Sequence, residues 1–150
     1  MNNIPRLLFY VTGLIFISAS FILFTTELLK KVNDGTTIGT ILFFIYGLVY
    51  MNMIAISSKR YMRRLQGASM VPYIFAVAVF IPPAFWVFVY EGGQATSPFL
   101  FISMLVIACG AGAWFGHNMG LKAQIKFQDD LRIYLEREER LSKRSDSNQN

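Results

Sequence analysis

Four runs of about twenty residues, each almost free of charge, leave this sequence few ways to fold: 7–29, broken only by Glu27, then 38–58, 71–90 and 97–118. At roughly 1.5 Å of rise per residue, a helix over any of them reaches about 30 Å, the thickness of a bilayer's hydrocarbon core. Between the runs stand Gly35, Gly67, the pair Gly92 and Gly93, and Pro98, which punctuate turns. Lipid offers no partner to an unpaired backbone amide or carbonyl, so such spans must be helical. Composition agrees, with 54% of the 150 residues apolar and only 15% charged, against about 25% charged in soluble domains. The expected fold is all-α, an integral membrane bundle of four transmembrane helices over residues 1–120. A charged cytoplasmic helix (121–144), either continuing span four or bending at Gly120 to lie on the membrane surface, and a disordered tail (145–150) are expected to follow.

Basic residues in the loops set the orientation. Lys59, Arg60, Arg63 and Arg64 fill the loop between spans two and three. Lys122, Lys126, Arg132, Arg137, Arg140, Lys143 and Arg144 follow span four. With Arg6, that puts twelve of the fourteen basic residues on one side. Both termini are therefore expected in the cytoplasm of a bacterium, with the protein in its inner membrane. Ser18-Ala19-Ser20 resembles the small-residue site of a cleaved leader. The apolar run continues past it to Leu29, as a retained anchor does. Trp86 and Tyr90 are expected as anchors at the outer interface, and Tyr10, Tyr46, Tyr50, Tyr73 and Trp114 toward the inner one.

Apolar area alone does not drive helices together in lipid, so close backbone approach has to. Ala108, Gly112, Gly116 and Gly120 recur every four residues as a smooth stripe on span four. The stripe seats span four against a helix of the same subunit or against a symmetry mate. Pro82 and Pro83 predict a kink near 79–82 in span three, because proline removes a donor and crowds the preceding turn. That kink is a candidate gate.

Catalysis inside a membrane needs titratable groups, and none of the spans carries Asp, Glu, Lys or Arg centrally. Glu27 sits one turn inside the outer end of span one and is expected to pair with Lys30 or Lys31. Cys109, Ala113 and His117 share a face, near enough in pattern to Met119, Met51 or Met53 to suggest a soft-metal site. The spacing matches no metal motif, so His117 is expected as an interfacial hydrogen-bonding residue. Cys109 is expected to behave as a small apolar residue and Asn52 to bond across helices. Neither a Gly-rich phosphate loop nor a Ser-His-Asp set is present. No enzyme, metal or cofactor is expected.

The tail helix carries Glu136 with Arg140 and Glu139 with Lys143 at i,i+4 spacing. Phe127, Leu131, Tyr134, Glu138 and Leu141 form a heptad-like seam, and Phe127, Leu131, Tyr134 and Leu141 are the candidate docking residues. Lys59, Arg60, Arg63 and Arg64 are expected to set topology and meet lipid headgroups. Nucleic-acid binding wants a larger basic surface with stacking aromatics.

Two functions fit. The first is a non-catalytic multipass protein that works by assembly, either as a homo-oligomer or as the membrane subunit of a complex. Its tail helix would dock a cytosolic protein, a plan shared by the membrane arms of bacterial immunity or defence pairs. The second is a small oligomeric channel or transporter gated at the Pro82–Pro83 kink. The scarcity of polar residues along the spans favours assembly.

Overall fold

The computed structural model describes residues 4–65, 67, 69–89 and 98–147. Tyr90, residues 91–97 and residues 148–150 lie outside them. Every described element is helical: α1 (Ile4–Ser20), α2 (Ile22–Asn33), α3 (Thr37–Met62), α4 (Val71–Val89) and α5 (Pro98–Ser147). Four helical stretches are long and apolar enough to cross a membrane, the first of them made of α1 and most of α2.

The helix ends follow from local chemistry. Between α2 and α3, Gly35 adopts φ 66°, which a residue with a Cβ rarely takes. Thr36 then serves both helices. Its hydroxyl donates to the Lys31 carbonyl at 3.0 Å and accepts from the Gly39 amide at 3.1 Å, a side-chain cap at the start of α3. After α3 the chain turns at Gly67 (φ 86°). Ser69 accepts from the Val71 amide at 3.2 Å to start α4. Gln124, buried on α5, donates to the Gly67 carbonyl at 3.0 Å and pins this turn to the last helix.

α3 and α5 share the most extensive seam, α4 packs against α5, α1 and α3, and α2 leans on α3. Tyr50, Ile54, Phe75, Val79, Phe101 and Leu105 fill the middle without exposure. Outside, Phe16, Leu23, Phe44, Phe88 and Ile107 stay exposed. That distribution, apolar within and apolar without, is what lipid as a solvent permits and water does not.

α4 is helical throughout with Pro82 and Pro83 inside it. A break that the spacing does not predict falls in the first span, at Phe21, where the amide bonds the Ser18 carbonyl three residues back at 3.2 Å. Side chains around it bond their own backbone: Ser20 to Phe16, Thr25 to Phe21 and Thr26 to Ile22. Such back-bonding loosens and bends helices. Of the two courses expected for the tail helix, continuing span four or bending at Gly120, it takes the first. α5 runs unbroken through Gly120 for 50 residues, about 75 Å at helical rise, and stays helical to Ser147, three residues into the stretch expected to be disordered.

Candidate functional site

The proline pair explains the polar centre of the bundle. Pro83 has no amide proton, so the Val79 carbonyl one turn back loses its helical donor. Ser18, fully buried on α1, donates to that carbonyl at 2.7 Å. Ser18 Oγ also lies 3.4 Å from the Tyr50 hydroxyl. The Tyr50 and Tyr46 hydroxyls are 2.9 Å apart, and Tyr46 bonds Thr25 on α2. Thr25 in turn donates to the Phe21 carbonyl at 3.0 Å, across the break in span one.

Each hydroxyl has one proton to give. Ser18 and Thr25 give theirs to carbonyls, which leaves the two tyrosine protons for three contacts, Ser18–Tyr50, Tyr50–Tyr46 and Tyr46–Thr25. The cluster is a cross-tie that draws α1, α2, α3 and α4 together. Nearby, the Trp86 indole donates to Thr26 at 3.1 Å, adding a second link from α4 to α2.

Tyr46 and Tyr50 thus are not interfacial anchors. α3 begins at Thr37, which puts both near mid-span, where a hydroxyl must find a partner inside the protein. Tyr10 is also drawn inward, its ring stacked 6.0 Å from Phe75 and edge-on to Tyr61 at 5.5 Å. Tyr73 and Trp114 remain exposed.

The glycine stripe lies against α3 of the same chain. A Cβ on Gly112 would come 2.9 Å from the Met51 carbonyl oxygen, and one on Gly116 2.7 Å from the Ser58 Cβ. On Gly120 it would meet the Met62 sulfur at 2.6 Å. Ala108 is buried beside Gly47, whose own Cβ would sit 3.8 Å from the Ala108 Cβ. The stripe is closed by α3 and offers no face to a symmetry mate.

The remaining candidates are scattered. Cys109 and Ala113 are buried in the core. His117 is half-buried, its ring 6.4 Å from that of Tyr73 and its Nδ1 without a hydrogen-bond partner among the described residues. Asn52 bonds its own helix, donating to the Leu48 carbonyl at 2.9 Å, and bonds no other helix among the described residues. Glu27 pairs with Lys30 at 3.3 Å. Pro83 is buried and Pro82 half-buried.

At the basic end, Lys59 and Arg63 turn toward α5, while Arg60 and Arg64 point elsewhere on the surface. Phe127 leaves the expected docking seam, because the Arg63 guanidinium covers its ring at 5.4 Å. Leu131, Tyr134 and Leu141 stay 50%, 62% and 66% exposed. Glu136 pairs backward with Arg132 at 3.1 Å and not forward with Arg140. Compared with family models, with curated proteins and with solved structures, the chain matches none, and its functional reading rests on this geometry.

Proposed function

We propose that the chain is a non-catalytic multipass membrane protein, the membrane subunit of a complex, that presents the far half of α5 to a cytosolic partner. Its spans lie in a bacterial inner membrane with both termini inside, as the loop charges require. One observation carries the reading: α5 leaves the bundle unbroken, and every residue from Gln128 to Leu141 is exposed. A helix held out in water gains little from propensity alone and is stabilised by packing a face. Leu131, Tyr134 and Leu141 lie on such a face, and burying each against a partner contributes about 1.5–3 kcal/mol. The glycine stripe, closed by α3, is not the assembly surface. No observation favours the alternative, an oligomeric channel gated at Pro82 and Pro83.

The test is purification in mild detergent of the full chain beside a version ending after Gln128. A defined protein that accompanies the full chain and is lost on truncation supports the proposal. Identical particle mass and composition for both chains would sink it.

A further inference from the structure

We propose that the basic end of the α3–α5 seam is a binding site for the phosphate headgroup of an anionic phospholipid. Lys59 in the last turn of α3 and Arg63 at its C-cap, with Lys122 and Lys126 one turn apart on α5, line one groove of about 410 Å³. Among the described residues none of these four cations makes an ion pair. Asp130 is the single acid on the lining. Like charges turned into one concavity repel, and an anion placed among them converts that repulsion into attraction. The groove is also set in advance: Arg63 is held over the Phe127 ring, so one of the four donors is positioned before a ligand arrives.

The apolar neighbours say what carries the phosphate. Met119 and Phe127 floor the groove. Ile56 precedes Lys59 by three residues and Arg63 by seven, and Phe115 precedes Met119 by four and Lys122 by seven. Those spacings put both on the same helix faces, one to two turns toward the middle of the bundle. Both are exposed, at 47% and 44%. The site thus offers cations at the end where the basic residues collect and apolar surface above them. A phospholipid has that polarity, and a free phosphate does not. Cation-lined pockets between spans on the cytoplasmic side take such headgroups. The inference rests on the membrane placement proposed above and is independent of partner docking.

The test titrates the full-length chain in neutral detergent with cardiolipin, whose two phosphates match the two cation pairs, and with phosphatidylcholine, reading bound lipid by native mass spectrometry. Cardiolipin is expected to bind and phosphatidylcholine not to. The K122Q/K126Q pair is expected to weaken cardiolipin about tenfold or more. The R137Q/R140Q pair, which removes the same charge from the exposed tail helix, stays within about twofold. Asp130→Asn is expected to tighten binding, a gain that misfolding does not produce. Equal losses in the two pairs, or equal binding of both lipids, would overturn the site. Full displacement of cardiolipin by millimolar orthophosphate would overturn the lipid assignment in favour of a free phosphate ligand. Alkaline carbonate extraction of membranes tests the placement separately. A chain released by carbonate overturns the placement. A retained chain with no cardiolipin preference overturns this site alone.

Discussion

Ser18 shows how one side chain settles a problem created by another residue sixty-five positions away in sequence. Pro83 frees the Val79 carbonyl, and the Ser18 hydroxyl satisfies it at 2.7 Å. Ser18→Ala removes that donor and unlinks Tyr50 from α1. Interhelical hydrogen bonds of this kind contribute about 0.5–2 kcal/mol, so the variant is expected to lower the thermal midpoint in detergent by a few degrees. Ser20→Ala deletes only an exposed back-bond to Phe16 and should melt within error of the parent. Equal melting of the two variants would show that the cross-tie contributes nothing. The ingredients were legible in the sequence: two prolines mid-span, and Tyr46 and Tyr50 one turn apart in span two. What composition and periodicity do not reveal is which helix faces which. The span 38–58 already centres on these tyrosines; their burial against α1, α2 and α4 is what corrects the reading of them as interfacial anchors.

At the scale of elements, periodicity carried further. Four helical spans, the turns at Gly35 and Gly67, and the packing stripe from Ala108 to Gly120 all follow from spacing. The stripe's partner does not, because small residues suit an intramolecular or an intermolecular neighbour equally well. The structure grades its members. Gly116 faces the Ser58 Cβ and the Ala55 Cα, parts with little freedom to move, whereas Gly120 faces the Met62 side chain, whose sulfur and methyl can turn away while its Cβ, at 2.9 Å, cannot. Gly116→Leu is expected to cost at least about 1–3 kcal/mol through overpacking, read as loss of monodisperse protein or a lowered midpoint. Gly120→Ala should be milder. Gly110 has nothing within 4 Å of its added Cβ, so Gly110→Ala should be neutral or stabilise by up to about 1 kcal/mol through helix propensity. A Gly116→Leu chain that melts like the parent would contradict the α3–α5 seam. The break at Phe21 was less legible: Ser and Thr residues in an apolar run mark where a helix can bend, and tertiary bonding decides whether it does.

For the whole molecule, bundle and tail should separate energetically. Residues 128–141 are exposed throughout, so a chain ending after Gln128 is expected to melt with the parent midpoint. A chain ending after Leu121 also loses the Gln124 bond to Gly67 and should fall by about 1 kcal/mol. A lowered midpoint in the chain ending after Gln128 would reveal contacts between tail and bundle. The unbroken passage of α5 through Gly120 gives the molecule leverage. The segment beyond Gly120 extends about 40 Å, and a tilt of about 5° at that point sweeps its tip through roughly 3–4 Å. The fulcrum is the short-range contact of Gly116 and Gly120 with α3, braced by Gln124 on the α3–α4 turn. Force applied far out on the tail therefore arrives at the glycine seam as torque, and a shift at the seam is magnified at the tip.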